Sequence, residues 1–357
     1  MVMSSLLNSN VFVVIMAGGR GTRFWPRSRH QKPKQFINIV GSRSLLRATM
    51  DRLDGLVDLD HIFVVTTEDL VPQIQENLQE LPLENILVEP EGRNTGPCLA
   101  LTLTMLESRT PQGTMVVLSA DHWIGDTPTF QQDVQTAVIH AERESQIVVF
   151  GVHPTHPETG YGYIEAENLT NLSPVKAFKE KPQLDQAITY LRDPHQLWNA
   201  GMFVWTFQTL RTAFLEHTPQ GLNLLDEWKR AGSNRSQLPV VYAQMKAEPI
   251  DIQIVEKSKN VSVLVAQFPW SDVGSWQAAS SFLSKDGEGN GSEGSVLFLN
   301  SRDTAVFGSE RLIALAGVQD LIVVDSGDAV LICHKDQVQS VKQIVEKLKQ
   351  QGQTDFL

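Results

Sequence analysis

Five short apolar runs in the first 152 residues constrain the fold more than any other feature of this sequence. They are Val11–Ala17, Ile62–Thr66, Ile86–Glu89, Met115–Ser119 and Ile147–Val152. Each is rich in β-branched residues, has the length of a strand, and is too uniformly apolar for a sheet with one face in water. Stretches with helical periodicity separate the runs, which predicts a parallel sheet covered on both faces. Ligands of such sheets bind beyond the carboxyl ends of the strands.

Three of the intervening stretches carry recognisable helix signals. Ser44 is placed to cap the first helix, because its hydroxyl can accept a hydrogen bond from an amide of the first turn. Pro97 suits the first turn of the second helix, where an amide donor is not needed. The third predicted helix covers Thr127–Glu144.

The pattern becomes mixed between Gly151 and Phe282, where strands and helices follow one another without a clear repeat. This segment is predicted to be an insertion or lid that carries a second substrate pocket. Its predicted elements are strands near Tyr161–Glu165, Val175–Phe178 and Gly201–Trp205, and helices near Leu184–Arg192 and Gln208–Arg230.

The stretch Ser284–Gly294 consists almost wholly of glycine, serine and charged residues, which predicts a linker. After it, short β-like runs recur about every ten residues, which favours a small β-rich, β-helix-like module. A helix is predicted over Val338–Gln350. We therefore expect a catalytic domain at residues 1–283, a linker at 284–294 and a C-terminal module at 295–357.

The overall charge argues against one class of function. A net charge of −11 does not suit a general nucleic-acid binder, which carries a basic face. No apolar run approaches the roughly 20 residues needed to span a membrane, and the first residues lack an export signal. Two distant cysteines, Cys98 and Cys333, have neither metal-ligand nor redox spacing. We expect a cytoplasmic protein with no nucleic-acid or membrane partner.

Positive charge is nevertheless concentrated directly after the first strand, around Gly18, Gly19 and Gly21. Six basic residues fall within 15 positions there: Arg20, Arg23, Arg27, Arg29, Lys32 and Lys34. Glycines after a buried strand let backbone amides approach an anion. No G-x-x-x-x-G-K-[ST] run exists, and Phe24 stands where a dinucleotide-binding loop has its third glycine. The stretch indicates either a phosphate loop that uses its own Arg and Lys side chains, or a glycine turn followed by a solvated basic surface.

Residues 17–36, AGGRGTRFWPRSRHQKPKQF, resemble the signature loop of the sugar-phosphate nucleotidyltransferases, and in detail their mannose-1-phosphate guanylyltransferase branch. Six further blocks resemble that family in the same order: EPEGRNTGP (89–97), SADH (119–122), PETGYGYIE (157–165), FKEKP (178–182), WNAGMFVW (198–205) and WSDVGSW (270–276). The resemblance implies an α/β fold, a Rossmann-like nucleotidyltransferase domain with a mixed, mainly parallel sheet, plus the small C-terminal β-rich module. It also implies that GTP and α-D-mannose 1-phosphate are converted to GDP-mannose and pyrophosphate.

By the same resemblance, Arg23 and Lys34 are the catalytic residues that grip the triphosphate. The residues implied to bind the nucleotide are Ala17, Gly18, Gly19, Arg20, Gly21, Thr22, Glu89, Asn94 and Thr95. Glu89 is our candidate for recognising the guanine base, since one carboxylate can accept hydrogen bonds from both N1–H and N2–H of guanine. Arg20 occupies a variable position of the signature. Arg27, Arg29 and Lys32 are expected to be surface residues only.

Asp121 and Asp272 match the metal positions of the family, and such hard oxygen ligands suit Mg²⁺, the expected cofactor. The histidine beside Asp121, His122, is expected to pack rather than to ligate. The residues implied to bind the sugar phosphate are Gly162, Glu180, Lys181 and Asn199. Asp251 also has a family counterpart, but Ile-Gln follows it here instead of Tyr-Ala, which leaves its role open.

Two other interpretations fit the same residues less well. One is a guanylyl- or other nucleotidyltransferase for a different sugar 1-phosphate. The other is a non-catalytic regulatory relative that binds nucleotide sugars, although such chains usually lose a loop Arg, the Lys or a metal Asp. A bifunctional enzyme with an isomerase domain is disfavoured, because only 75 residues follow Phe282. The sequence leaves the oligomeric state open; the resemblance offers a homodimer, since members of the family are often dimeric.

Overall fold

The computed structural model describes residues 6–19 and 21–357, so the predicted nucleotide-binding residue Arg20 lies outside the described residues. The chain divides into two compact units. The first, here called the sheet unit, comprises the residues up to Gly18, Asp51–Ser119 and Ile124–Trp270. The second, here called the module unit, comprises Gly19–Met50, Ala120–Trp123 and Ser271–Leu357. The domain boundaries expected from the sequence stay a prediction.

The strands of the described residues are numbered in chain order. They are β1 Val11–Met16, β2 Ile62–Thr67, β3 Ile86–Glu89, β4 Thr114–Ser119, β5 Trp123–Ile124, β6 Ile147–Val152, β7 Tyr163–Ala166, β8 Leu172–Lys179, β9 Gln196–Thr206, β10 Val261–Val265, β11 Trp270–Ser271, β12 Gly291–Glu293, β13 Val296–Leu299, β14 Ala305–Phe307, β15 Ile313–Ala316, β16 Leu321–Asp325 and β17 Val330–His334.

The helices are numbered in the same way. They are α1 Leu45–Asp51, α2 Val71–Asn77, α3 Thr95–Leu106, α4 Thr127–Glu144, α5 Leu184–Tyr190, α6 Phe207–His217, α7 Pro219–Arg230, α8 Leu238–Tyr242, α9 Trp276–Ser280 and α10 Val341–Gln350, with a π-helix at Asp251–Val255. The predicted helix Thr127–Glu144 is confirmed, and Ser44 caps α1 by accepting the amide of Arg47 at 3.1 Å.

One mixed sheet organises the sheet unit, in the order β3-β2-β1-β4-β9-β6-β10-β8-β7. The strands β3, β2, β1 and β4 are parallel, whereas β9 runs antiparallel to both β4 and β6. The registers Met16–Ser119 and Thr67–Glu89 bring the carboxyl ends of the first strands to one edge of the sheet. That edge carries Gly18 and Glu89.

The five strands at the predicted apolar runs, β1, β2, β3, β4 and β6, are buried on both faces. In β1, every residue from Val11 to Ile15 is buried. One large apolar cluster joins alternate sheet residues such as Val14 and Val117 to Leu103 of α3 and Leu225 of α7. Burial on this scale fixes the strand ends, and so the position of the loops that follow them.

Three sequence-based predictions about elements are wrong. The segment from Gly151 to Phe282 is not a separate lid, since β7, β8, β9 and β10 all belong to the main sheet. The single helix predicted near Gln208–Arg230 is two helices, α6 and α7, because Pro219 lacks the amide donor needed to continue α6. The last helix begins at Val341, after a 3₁₀ turn over Lys335–Ser340.

The module unit contains a sheet in the order β12-β14-β16-β17 and a separate parallel pair, β13 and β15. Strands β12, β14 and β16 are parallel, so this part has the stacked character expected of a β-helix-like module. The segment expected as a linker carries β12. Throughout residues 6–19 and 21–357, no helix combines the length and the apolar character required to cross a membrane.

Candidate active site

The glycine loop of the module unit is shaped around Lys34. Gly21 has a left-handed backbone, with φ of 59° and ψ of 36°. A Cβ atom at Gly21 would lie 3.0 Å from the backbone nitrogen of Lys34 and would collide with the Lys34 Cβ. Its carbonyl accepts the Ser28 hydroxyl at 2.7 Å, which ties the turn to the chain that follows. Glycine is therefore required here both for its conformation and for the close approach.

Lys34 is the centre of the predicted catalytic set in this unit. It is buried, and its Nζ donates to Asp121 Oδ2 at 2.8 Å and to the backbone carbonyl of Asp272 at 2.6 Å. Nζ also lies 5.6 Å from the centre of the Phe24 ring. The structure thus brings together one predicted catalytic lysine and both predicted metal-binding aspartates.

The carboxylates of Asp121 and Asp272 are hard oxygen donors, the ligand type that divalent cations such as Mg²⁺ prefer. Asp272 Oδ1 accepts the amide of Gly274 at 2.9 Å, and a Cβ on Gly274 would come within 2.6 Å of Asp272 Oδ2. Among the described residues, no group of three or more His, Cys, Asp or Glu is arranged to hold a metal ion. A metal bound here would therefore take few protein ligands, as Mg²⁺ does when phosphate oxygens and waters complete its shell. His122 Nε2 lies 3.9 Å from Asp121 Oδ1.

The other predicted loop residues have less distinctive surroundings. Arg23 is exposed, in a 3₁₀ turn over Thr22–Phe24 that leaves its guanidinium accessible to an anion. Gly19 is exposed as well, and a Cβ there would meet no atom within 4 Å. Their predicted roles stay predictions.

Two residues expected to be mere surface, Arg27 and Arg29, are instead held by the C-terminal part of the module unit. Arg27 Nη2 donates to the carbonyl of Gly308 at 2.7 Å, and Arg29 Nη2 donates to Asp328 Oδ1 at 2.8 Å. Only 15% of the Arg27 side chain and 16% of the Arg29 side chain are exposed. Lys32 is exposed, as expected.

In the sheet unit, Glu89 lies at the end of β3 and is only 4% exposed. Its Oε2 accepts the hydroxyl of Tyr242 at 2.6 Å, and its Oε1 would lie 3.2 Å from a Cβ on Gly18. Burial raises the pKa of Glu89 to about 7, and the Tyr242 hydrogen bond partly offsets that rise. Glu89 is thus a buried carboxyl whose Oε1 lies beside Gly18, within the sheet unit.

The segment after β3 is fastened to the residues that follow α8. Arg93 donates to the carbonyl of Met245 through Nε and Nη2, at 3.1 and 2.9 Å. Thr95 Oγ1 accepts the amide of Ile250 at 2.8 Å, so this hydroxyl has a structural partner. Asn94 is exposed, with a φ of 70°, and caps α3 by accepting the Thr95 amide. Of the two predicted nucleotide-binding residues in this segment, Asn94 is therefore the exposed one.

The four predicted sugar-phosphate residues lie together in the sheet unit. The backbone amide of Asn199 donates to the carbonyl of Gly162 at 2.8 Å. A Cβ on Gly162 would come within 2.6 Å of Glu180 Oε2, so only glycine leaves room for that carboxylate. Lys181 Nζ lies 2.8 Å from Glu180 Oε1, and 59% of the Lys181 side chain is exposed. This set joins a hydrogen-bonding carboxylate and amide to one accessible positive charge.

In the sheet unit, the sequence patterns did not indicate any role for Tyr242 and left the role of Asp251 open. Tyr242 carried no local signal, because its partner Glu89 lies 153 positions away. Asp251 accepts Asn199 Nδ2 at 2.7 Å and so belongs beside the sugar-phosphate set. Removal from water, followed by the charge of the neighbouring Glu180, raises the pKa of Asp251 to about 6.

Comparisons with known proteins agree with this arrangement. The family model described as nucleotidyl transferase matches residues 12–287, and a mannose-phosphate isomerase/GMP-like beta-helix domain model matches residues 294–348. Members of the nucleotidyl transferase family generally use a divalent metal.

Individual relatives extend over most of the chain. A mannose-1-phosphate guanylyltransferase of Escherichia coli is 35% identical, with 96% of this chain and 75% of that protein covered. The xanthan biosynthesis protein XanB of Xanthomonas campestris is 35% identical over 97% of this chain and 75% of its own length. A crystal structure from Thermus thermophilus, described as a mannose-1-phosphate geranyltransferase, has a TM-score of 0.88 at 31% identity, covering 95% of this chain and 99% of that chain. The chain belongs to the nucleotidyl transferase family, within its mannose-1-phosphate guanylyltransferase branch, whose members make GDP-mannose from GTP and mannose 1-phosphate.

Proposed function

We propose that this chain transfers GMP from GTP to α-D-mannose 1-phosphate, giving GDP-mannose and pyrophosphate. The nucleophile is the phosphate oxygen of the sugar phosphate, which attacks the α-phosphorus in line with the departing pyrophosphate. Because this nucleophile is already an anion, the reaction needs no general base, and catalysis depends on positioning and charge. The observation that carries the proposal is the contact of Lys34 Nζ with the Asp121 carboxylate and the Asp272 carbonyl, within the module unit.

Each proposed role follows from the surroundings of the side chain. Lys34, with the accessible Arg23, supplies positive charge to the triphosphate, and the amides around Gly19 and Gly21 approach it closely. Asp121 and Asp272 would hold Mg²⁺, which neutralises phosphate charge when it is bound. A divalent metal is a property of the family; the choice of Mg²⁺ is the proposal.

For the sugar phosphate, we assign the phosphate to the exposed ammonium of Lys181 and the hydroxyls to Glu180 and Asn199. The support is their shared location beside Gly162, whose lack of a Cβ atom leaves room for the Glu180 carboxylate. A cytoplasmic location and a homodimer stay predictions.

A substrate panel tests the proposed function directly. Purified protein with Mg²⁺ is offered GTP, ATP, UTP or dTTP together with mannose 1-phosphate, glucose 1-phosphate or another hexose 1-phosphate, and pyrophosphate release is followed. The pair GTP and mannose 1-phosphate is expected to have the highest kcat/KM. A higher value for another sugar would reassign the substrate, and no release with any pair would refute catalysis.

The glycine that shapes the loop gives a first prediction. Gly21→Ala would place a methyl group against Lys34 and force a left-handed residue to accommodate a side chain. Because displacing a catalytic group by about 1 Å can cost about 10²-fold, we expect kcat to fall by about that factor. Steady-state kinetics measure it, with Gly287→Ala as the matched control, since a Cβ there meets no atom within 4 Å. Equal activity of the two variants would contradict the packing argument.

The buried carboxyl of Glu89 gives a second prediction, on pH. The ordinary pKa of 4.5 applies to the unfolded chain and a pKa of about 7 to the folded protein, so the folded state retains the proton between these values. Stability should therefore fall as pH rises from about 4.5 to about 7, by about 3 kcal/mol. Tyr242 and Cys98, which contact or face this carboxyl, keep their protons throughout, because burial raises the pKa of both groups well above this range.

Urea unfolding at pH 5 and pH 8 measures this dependence in the wild type and in Glu89→Gln, with Glu91→Gln as the exposed control. We expect Glu89→Gln to lose the part of the pH dependence that comes from Glu89, and Glu91→Gln to keep the wild-type dependence. A remaining decrease of stability as pH rises to about 6 belongs to Asp251, whose pKa burial also raises. If ionised Glu89 also binds the guanine base, the KM of the wild type for GTP should decrease between pH 6 and pH 8. The variant Glu89→Gln should then show a smaller ratio of kcat/KM for GTP to kcat/KM for ATP. An unchanged preference would remove Glu89 from the base site.

A further inference from the structure

The signature loop does not end at its phosphate-binding glycines; its later part is held by the C-terminal module. Arg27 Nη1 lies 3.3 Å from Glu293 Oε1 of β12, and Nη2 donates to the carbonyl of Gly308 at 2.7 Å. The same guanidinium lies 5.8 Å from the centre of the Trp276 ring and 5.9 Å from that of Phe307. With both ends of the guanidinium engaged and both rings close to it, Arg27 has little capacity left for a substrate phosphate.

The neighbours of Arg27 in the loop are fastened in the same way. Trp25 Nε1 donates to the carbonyl of Phe356 at 2.8 Å, and the amide of His30 donates to the carbonyl of Leu357 at 3.0 Å. Arg29 reaches Asp328 in the turn between β16 and β17. The loop from Trp25 to His30 is therefore anchored at several points to the residues that follow Ser271.

Trp276 connects these anchors to the catalytic residues. It is fully buried, its Nε1 donates to the carbonyl of Trp25 at 3.0 Å, and its ring lies 5.0 Å from Phe24 and 4.6 Å from Phe307. Phe24 in turn lies under the ammonium of Lys34. Four positions before Trp276 is Asp272, whose carbonyl accepts that same ammonium. Packed rings thus lead from Arg27 and Phe307 through Trp276 and Phe24 to the ammonium of Lys34, which binds the Asp272 carbonyl.

We propose that the C-terminal β module is a structural part of the active site, and that Arg27 is a positioning residue that fixes the signature loop to it. The proposal rests on the proposed function for its effect on catalysis. The proposal gives the module a structural role in catalysis, although nucleotidyl transfer itself requires no such module. It also predicts that module residues which never meet a substrate still control turnover.

The test uses a double-mutant cycle on the full chain with Arg27→Gln, Glu293→Gln and the double variant. We expect each single change to lower kcat by about tenfold or more, with a smaller effect on the KM for mannose 1-phosphate. The double variant should resemble the worse single variant, because both changes break the same contact. Arg302→Gln is the control, since Arg302 lies in the same module and bonds to Gln319. Its kinetics should equal those of the wild type.

The second readout is independent of turnover. Hydrogen exchange of residues 19–36 should become faster in Arg27→Gln and Glu293→Gln, and remain unchanged in Arg302→Gln. Since 48% of the Glu293 side chain is exposed, Glu293→Gln should fold even if Arg27→Gln does not.

Two results would overturn the proposal. If Arg27→Gln lowered kcat while Glu293→Gln left both kcat and loop exchange unchanged, Arg27 would act on the substrate rather than through the module. If neither variant changed kcat or exchange, the contacts would have no positioning role. An inactive wild type would refute the proposed function alone, because the exchange measurement would still decide whether the module holds the loop.

Discussion

Lys34→Met is expected to lower kcat by about 10³-fold, with a smaller rise in the KM for GTP. Methionine keeps the length and much of the apolar contact of the lysine stem, so the buried position next to Phe24 stays filled. What is lost is the charge, and removing one preorganised group that stabilises developing negative charge costs about 10²–10³ in rate. The effect falls on kcat because pyrophosphate gains charge in the transition state.

Steady-state and single-turnover kinetics measure this effect, and Lys32→Met provides the control. Lys32 lies two positions away in the same loop but is exposed, so its loss changes the charge of the region without changing the contact with Asp121. We expect the control to retain kcat within about twofold, as surface substitutions usually do. Equal losses in both variants would mean that the loop acts only through its general positive charge.

The sequence predicted the sheet well because its signal is local. The run Val11–Ala17 is apolar at every position, and β1 is indeed buried on both faces. Helix α4 has the predicted bounds because Asp126 caps its start and its apolar positions repeat with helical spacing. The predicted lid is wrong because the pairing that decides it is not local. Strand β9 lies antiparallel between β4 and β6, so this segment joins the main sheet without a regular alternation of strands and helices along the sequence.

The candidate site was predictable only where its residues lie in short motifs. Lys34, Asp121 and Asp272 each stand in a recognisable block, although the contact of Lys34 with both aspartates joins positions that are 87 and 238 residues apart. Arg27 looked like surface because its partners, Glu293 and Gly308, are 266 and 281 positions away. Nothing local distinguishes an arginine that binds a phosphate from one that binds a carbonyl. Only the folded geometry separates the two.

Asp121→Asn and Asp272→Asn are each expected to lower kcat by about 10³-fold or more, because each removes a charged ligand of the proposed metal site. Asparagine has nearly the same shape, and at position 272 its side-chain oxygen can still accept the Gly274 amide, so the local turn should be preserved. An amide oxygen binds a hard divalent cation far less strongly than a carboxylate does. The apparent affinity for Mg²⁺ should therefore fall together with kcat.

Metal affinity distinguishes this explanation from simple loss of the Lys34 contact. Mn²⁺ binding in the presence of GTP, followed by electron paramagnetic resonance, should weaken in both aspartate variants and remain at the wild-type level in Asp336→Asn, a change at a carboxylate whose side chain is 80% exposed. Lys34→Met leaves both carboxylates in place and should therefore retain Mn²⁺ binding despite its low kcat. Turnover at the wild-type rate in either aspartate variant would break the metal assignment for that residue. Loss of Mn²⁺ binding in Lys34→Met would instead mean that the lysine holds the two aspartates in their metal-binding geometry.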